Sequence, residues 1–255
     1  MILQTLNQLP PELQHLKNLK TLYYCGDIEL LKKRKIAIIG SRNPNPYAQS
    51  FTKEIAKKIS PYAAIISGGA LGIDILAHNA ALPNTIMVSP SSLDIIYPKT
   101  NQKIIQEIYK NALILSQFPP TYIPKNYSFL ERNKIIISLA EYIIIPQADL
   151  KSGSMESAKY ALSLGKKIYV PPHQLGQSKG TQTLAKEKKA EIIWDIDEFL
   201  NQLFEASYNN DKDEVLEFCK SNPFFEEAFA RFGEILFHYE LEGKIQRNNG
   251  RIEVI

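Results

Sequence analysis

The sequence predicts an α/β fold: an extended Rossmann-like, mostly parallel sheet followed by a small C-terminal winged-helix-like domain. Three observations predict it. Short apolar, β-branched-rich runs alternate with helical patterns from Lys35 to Phe204, as expected of a parallel sheet covered on both faces. Two of these runs end on glycine loops, Gly40-Ser41-Arg42 and Ser67-Gly68-Gly69. Residues 211–255 change to short helical patterns closed by Asn249-Gly250 between two alternating runs, a strong hairpin signal.

The elements follow in order. Residues 1–34 form an N-terminal extension packed on the sheet domain, which itself spans 35–205. Strands are expected at Ile36–Ile39, Ala63–Ile66, Thr85–Ser89, Ala112–Ser116, Tyr142–Ile145, Ile168–Val170 and Glu191–Trp194. Helices are expected at Tyr47–Ile59, Ile73–Ala81, Gln102–Tyr109, Leu130–Leu139, Ser154–Leu164 and Asp195–Phe204. Residues 206–210, Ala-Ser-Tyr-Asn-Asn, read as a linker. Three short helices follow, at Glu214–Lys220, Pro223–Phe232 and Glu234–Glu242, and then the hairpin.

Composition bounds the function. The 255 residues suffice for one large and one small domain. Pro10, Pro11, Glu12 and Lys17 interrupt the first thirty residues, so no secretory signal is expected there. The most apolar run, Ile135–Ile145, contains Glu141 and is too short to span a bilayer, so no membrane role is expected. Two distant cysteines, Cys25 and Cys219, point to reduced thiols in a cytoplasmic protein. His15, His78, His173 and His238 show no metal-ligand spacing, and neither a metal nor another cofactor is expected. The net charge of +3 is unevenly placed. Residues 206–255 hold six basic and ten acidic side chains, a net −4, which leaves +7 for residues 1–205. A polyanion is therefore expected to meet the sheet domain, and the acidic tail reads as an interaction module more than a duplex reader.

The chemistry lies in the loops at the strand ends. Gly40 permits a sharp turn, and Arg42 offers a planar fork suited to phosphate. Ser67-Gly68-Gly69-Ala70-Leu71-Gly72 joins a strand to a helix with three glycines, the pattern of a backbone anion cradle. It is neither the dinucleotide fingerprint nor a P-loop. A third loop, Asp149-Leu-Lys151-Ser152-Gly153-Ser154, opens a helix. Ser152 or Ser154 reads first as its cap, with a second phosphate position as the functional alternative. Lys125, Tyr127, Phe129, Arg132 and Lys134 interleave cations with aromatics, as in single-strand grooves. A core Phe129 with solvated charges is the plain structural alternative. Asp74 and His78 stand four apart on a helix, a spacing more often of packing than of catalysis.

Taken in order, Gly-Ser-Arg at 40–42, Ser-Gly-Gly-Ala-Leu-Gly-Ile-Asp at 67–74 with His78, Tyr97-Pro98, Phe-Leu-Glu-Arg-Asn at 129–133 and Ser-Gly-Ser at 152–154 resemble the DNA-processing protein A (DprA/Smf) family. The resemblance covers most of residues 20–200. It implies a non-enzymatic protein that binds single-stranded DNA, protects incoming strands during natural transformation and helps load the RecA recombinase. It further implies a homodimer through the Rossmann domain and a winged-helix-like domain at 211–255. By this resemblance Arg42, Ser67, Gly68, Gly69, Lys151, Ser152 and Gly153 meet phosphates and Phe129 stacks on a base; Gly40, Ser41, Lys125, Arg132 and Lys134 in the same segments complete the expected DNA-binding set. Lys134 stands where many members carry arginine, and Pro171-Pro172-His173 replaces a more usual Pro-Gly. The competing class is a nucleoside-monophosphate phosphoribohydrolase-like enzyme, whose Pro-Gly-Gly-x-Gly-Thr loop with a helical glutamate is not matched here. A pure adaptor is the third reading, opposed by Arg42 and the intact glycines.

Overall fold

The computed structural model describes residues 4–6, 8–208 and 214–255. The chain divides into two units, Met1–Ile196 and Asp197–Ile255. In the first, the strands are β1 (Gln4–Thr5), β2 (Tyr23–Gly26), β3 (Lys35–Ile38), β4 (Ala64–Ser67), β5 (Thr85–Val88), β6 (Leu113–Ser116), β7 (Tyr142–Ile144), β8 (Ile168–Val170) and β9 (Glu191–Ile192). They form one sheet in the order β1-β2-β6-β5-β4-β3-β7-β8-β9. The strands from β6 through β9 in that order are parallel. β1 and β2 extend one edge in antiparallel pairing, β2 against β6 with Cys25 opposite Ile114. The N-terminal extension thus contributes two strands to the sheet. Tyr23-Tyr24-Cys25 is only half buried and does not show the continuous apolar run that marks the inner strands.

Every residue of β3, β4, β5 and β6 is buried. That requires cover on both faces. The helices that supply it are α1 (Pro46–Ile59), α2 (Ile73–Ala81), α3 (Gln102–Asn111), α4 (Asn126–Leu139), α5 (Gly153–Ser163) and α6 (Lys179–Lys186). Because side chains alternate across a strand, Ala37, Ile66, Ile86 and Val88 share one core cluster with Ile135, Ile136 and Leu139 of α4. On α1 the buried positions Ala48, Phe51, Thr52, Ile55, Ala56 and Ile59 repeat at helical spacing, and the helix packs on α2.

Two helix starts differ from expectation for local reasons. α1 begins at Pro46, capped by the Asn45 side chain, which accepts from Ala48 N–H at 2.8 Å. α4 begins at Asn126 and not at Leu130, because Ser128 caps its first turn, accepting from Lys125 N–H at 3.0 Å. That earlier start places Phe129 inside the helix. α6 was not anticipated: its exposed lysines and Thr-Gln-Thr run obscure the buried Gly180, Thr181 and Leu184.

The topology has one switch point. From β3 the chain steps outward through β4, β5 and β6, then returns to lay β7 on the opposite side of β3. The loops leaving the carboxyl ends of β3 and β7 diverge there, and a crevice opens between them, the usual ligand position in open α/β sheets.

The second unit contains α7 (Ile196–Tyr208) from Asp197 onward, α8 (Glu214–Cys219), α9 (Phe225–Phe232), α10 (Ile235–Leu241) and the hairpin β10 (Ile245–Asn248) and β11 (Arg251–Val254). Asn249 and Gly250 both take positive φ, 49° and 77°, as a two-residue hairpin turn of type I′ requires. Val215, Cys219, Ala228, Leu236, Ile245 and Ile252 form its small core. Two sequence expectations shift. The helix assigned to the 35–205 domain falls mostly with this unit. The linker expected at 206–210 starts later, because the apolar period Phe199, Leu200, Leu203 and Phe204 carries α7 through to Tyr208. Residues 209–210 lie outside the described residues.

Candidate functional site

Three strand-end loops build the crevice, and backbone hydrogen bonds stitch them together. Ser41 N–H, after β3, donates to Gln147 O, after β7, at 2.8 Å. Ile73 N–H, at the start of α2, donates to Ser41 O at 3.1 Å. The Gln147 side chain accepts from Asn45 N–H at 2.8 Å. Gly72 lets two of these loops touch. Its φ is +78°, and a Cβ there would run into Ser41 O and come within 2.7 Å of the Arg42 carbonyl carbon. The resulting crevice encloses about 350 Å³, walled by Ser41, Arg42, Asp74, Phe129, Asn133 and Ser152 among others.

Arg42 and Phe129 form its outer rim. Arg42 is exposed, and its guanidinium carbon sits 5.5 Å from the centre of the Phe129 ring. Phe129 is half-buried, with its other neighbour Tyr97 tilted at 5.8 Å between ring centres. A cation stacked on an aromatic face that remains partly open suits a phosphate beside a base. A smaller apolar recess lined by Leu71, Pro90, Tyr97, Pro98 and Phe129 adjoins it.

The floor is different from what the glycine pattern suggests. Gly68 and Gly69 are buried. A Cβ on Gly68 would strike the Arg132 guanidinium, and one on Gly69 would strike the Met87 methyl. The glycines thus admit these neighbouring side chains, and Gly69 also lines the smaller recess. Asp74, 7% exposed, borders the crevice from the first turn of α2. Arg132, 4% exposed, donates Nη1–H to Val88 O at 2.8 Å and Nε–H to Asn133 Oδ1 at 2.9 Å. Burial pushes Asp74 up to about 6, against the pull of Arg132, of the Ala70 and Gly40 backbone and of Arg42. The same burial lowers the Arg132 pKa, with Asp74 opposing.

His78, one turn on, is fully buried and does not meet Asp74. Its Nε2 lies 2.7 Å from Gly68 O, which can only accept, so Nε2 carries the proton. Its Nδ1 faces the Thr85 hydroxyl at 2.6 Å. His78 thus fixes the orientation of the Gly68 peptide, and burial pushes it down to about 4.

The sequence-derived site residues separate into three groups. Gly40, Ser41, Arg42, Phe129, Arg132, Ser152 and Gly153 all wall the crevice. Ser67, Gly68 and Gly69 are buried behind the crevice wall, and Gly69 lines the adjoining recess. The Ser67 hydroxyl is fully buried and donates to Ile38 O at 2.5 Å, tying β4 to β3. Arg132 reaches the crevice wall while its guanidinium bonds Val88 O and Asn133. Lys125, Lys134 and Lys151 lie off the crevice wall. Lys134 follows Phe129 by five residues, which turns it to another face of α4, where it pairs with Glu131 at 2.7 Å. Ser152 caps α5, accepting from Met155 N–H at 3.3 Å. Gln147, Asn133 and Asp149 were not singled out beforehand. A glutamine after a strand carries no signal of its own, and its clamp on Asn45 emerges only from the sheet order. Among the described residues no His, Cys, Asp and Glu cluster could hold a metal, and no helix is long and apolar enough to cross a membrane.

The two buried titrations at the crevice oppose each other. His78 has a folded pKa near 4, below its unfolded value of 6.5, so its contribution is present above pH 6.5 and lost as pH falls. Asp74 has a folded pKa near 6, above 3.8, so its contribution is present at low pH and lost as pH rises through 6. Each is on the order of 3 kcal/mol. Between pH 4 and 6.5 they largely cancel. Asp74→Asn is therefore expected to show stability that climbs with pH over that window, and His78→Gln stability that declines. Urea unfolding at pH 4.5 and 7 reads this directly, and equal pH dependence in both variants contradicts the assignment.

A mostly parallel sheet with one switch point, and a crevice at its strand ends, define a Rossmann-like α/β protein. Comparison with known proteins gives the family. The family model for DNA recombination-mediator protein A matches residues 1–204, and the chain belongs to that family. It is 34% identical over 192 residues to DNA processing protein DprA of Bacillus subtilis, covering 73% of this chain and 65% of the relative. Its match to DprA of Streptococcus pneumoniae, 34% identical over 171 residues, covers 65% of this chain and 61% of the relative. The chain thus spans somewhat less than two thirds of the length of those curated relatives. Among solved structures, DNA processing protein A from Helicobacter pylori, described for its single-stranded DNA binding mode, superposes with a TM-score of 0.79. The two are 46% identical over 80% of this chain and 96% of that one.

Proposed function

We propose that this chain binds single-stranded DNA at the strand-end crevice, holding a backbone phosphate with Arg42 and a base against Phe129. The observation that carries the reading is the Arg42–Phe129 rim itself, an exposed guanidinium over a half-open ring at the switch point. The Helicobacter pylori relative described for single-stranded DNA binding supports it. In duplex DNA the bases are stacked internally and offer no face to Phe129, so single strands win.

The wider role follows the family. The chain acts in natural transformation, protects incoming single strands and helps load the RecA recombinase, as a homodimer through the sheet domain. The hairpin-closed second unit serves as a winged-helix-like interaction module, its acidic balance turning it away from DNA. No turnover is expected. Where an enzyme of the phosphoribohydrolase type carries a glutamate on the helix this chain offers Asp74, and no threonine follows Gly72.

Phe129→Ala tests the stacking half. It is expected to weaken binding of a single-stranded oligonucleotide by roughly 1–3 kcal/mol with an unchanged salt slope, because stacking releases no counterions. Fluorescence anisotropy across a salt series measures both. A folded Phe129→Ala protein with full affinity removes the base from the account.

A further inference from the structure

Exposed apolar side chains of the first unit gather at one end of the sheet. Among its described residues, Tyr62 is the one exposed large apolar side chain at the opposite end, two residues before β4. The others lie in loops leaving the carboxyl ends of strands or in the opening turns of the next helix, as Tyr47, Leu71, Tyr127, Leu130, Leu150 and Leu175 do. Scattered singly, such residues need no explanation. Gathered on the face where the crevice opens, they mark a contact surface.

Two of them are tyrosines whose rings are held in place beside the crevice. Asn43 and Phe129 wall the crevice; Tyr47 follows the first by four residues and Tyr127 precedes the second by two. Tyr127 is 52% exposed, yet its hydroxyl accepts from the Tyr122 hydroxyl at 2.9 Å. Tyr122 is itself stacked on Phe118, 4.1 Å between ring centres and 7° from parallel, and its hydroxyl lies 2.8 Å from Ser128 Oγ. Tyr47 is 45% exposed, its ring T-shaped against His173 at 5.4 Å between centres. His173 Nε2–H donates to Pro146 O at 2.8 Å, which ties that ring to the loop after β7. An exposed ring already fixed in orientation loses little freedom when a base stacks on it.

We propose that Tyr127 and Tyr47 are stacking platforms outside the crevice, so that a single strand held at Arg42 and Phe129 runs on across the strand-end face with a further base on each tyrosine. The proposal rests on the single-strand reading of the crevice and extends it from one base to several nucleotides, the scale of single-strand sites. Cations accompany the apolar side chains: Lys125 is exposed beside Tyr127 in the chain, and Lys151 beside Leu150. That alternation suits a strand with phosphates between its bases better than an apolar protein partner. Two residues turn a helix by about 200°, so Tyr127 and Phe129 lie on different sides of α4. A strand reaching both crosses the first turns of the helix, where Leu130 is exposed, and Lys134, about two turns beyond Tyr127, stays clear of it. On the other flank, the Pro171-Pro172-His173 segment acquires a role, the seating of Tyr47.

The test compares oligothymidylates from a dinucleotide to about twelve nucleotides as competitors of one labelled strand, read by fluorescence anisotropy on the full chain. Tyr127→Ala and Tyr47→Ala are set against Tyr62→Ala, the exposed tyrosine at the opposite end of the sheet. Circular dichroism checks that all three fold. In the unaltered chain affinity should rise with length beyond the dinucleotide. Tyr127→Ala and Tyr47→Ala should each weaken binding of the long strand at least about fivefold and leave dinucleotide binding unchanged. Tyr62→Ala should alter neither, and Tyr127→Phe and Tyr47→Phe should keep most of the affinity, since the ring is what stacks. An equal gain with length in every variant overturns the platforms, because it then comes from elsewhere, such as a second protomer. Dinucleotide binding with no gain from length overturns them too and leaves the crevice reading standing. No binding at any length ends both.

Photocrosslinking locates the bases independently. With 5-iodouracil at successive positions of the long strand, crosslinks to Tyr127 and to Tyr47 are expected from positions flanking the one that marks Phe129. Crosslinks at Phe129 with none at either tyrosine overturn the proposal.

Discussion

Arg42→Ala is expected to lower affinity for a single-stranded oligonucleotide about 10- to 100-fold at low salt, the range for one charge-assisted phosphate contact. The geometry singles out this arginine. It is exposed at the crevice mouth, whereas Arg132 is fixed to Val88 O and Asn133, and Lys134 to Glu131. The peptide groups on either side of Ser41, the residue before Arg42, are pinned as well. Ser41 N–H is held by Gln147 O, and Ser41 O by Ile73 N–H. The fork is thus presented from a rigid base, and little ordering entropy is lost on binding. Removing one phosphate contact should also flatten the dependence of log K on log salt by about 0.7. Arg42→Lys should keep most of the slope and lose part of the affinity, since lysine restores the charge without the planar fork. Lys134→Ala should change neither by much. If Lys134→Ala is the damaging variant and Arg42→Ala is silent, the strand runs along the other face of α4.

Gly72→Ala is expected to destabilise the fold by about 3 kcal/mol or more, with DNA binding lost alongside the folded state. Two effects add. The backbone at Gly72 takes φ +78° with ψ −127°, a region essentially restricted to glycine. A Cβ would also collide with Ser41 O, the acceptor of the bond that joins the first two strand-end loops. Neither neighbour is the free end of a flexible side chain, so relief requires separating the loops. Gly153→Ala is the control. Gly153 opens α5 directly after a strand-end loop, yet nothing stands within 4 Å of its would-be Cβ. It should fold normally. Chemical denaturation of the two variants distinguishes a steric requirement from a general preference for glycine in such loops, and equal stability of the two would remove the steric argument.

The sheet was readable because its inner strands are buried on both faces and its helices are amphipathic. Runs such as Ala64-Ile65-Ile66 and Leu113-Ile114-Leu115 admit little else between helical patterns. The antiparallel edge was not readable, since Tyr23-Tyr24-Cys25-Gly26 is a half-exposed strand whose pairing with β6 is a long-range matter. At the site, Arg42 and Phe129 were legible as residue types that suit phosphate and base, and the structure brings them together. The glycines were legible as a requirement for close approach, but not for what approaches. The sequence pattern Ser-Gly-Gly-Ala-Leu-Gly reads as an anion cradle, and only three dimensions show the Arg132 guanidinium beside Gly68 and the Met87 methyl beside Gly69. Lys134 was legible as part of an aromatic–basic segment, but its direction follows from helical phase along α4, which starts at Asn126.

The central claim is that this crevice grips a strand by one rim cation and one rim aromatic, which makes it selective for single-stranded DNA. The most direct measurement is a fluorescence-anisotropy titration of the full chain with one labelled oligonucleotide, alone and annealed to its complement, at several salt concentrations. Tighter binding of the single strand is expected at every salt concentration, with the preference reduced in Phe129→Ala and the salt slope reduced in Arg42→Ala. Equal affinity for the two forms, with both variants folded and indistinguishable from the unaltered protein, would contradict it.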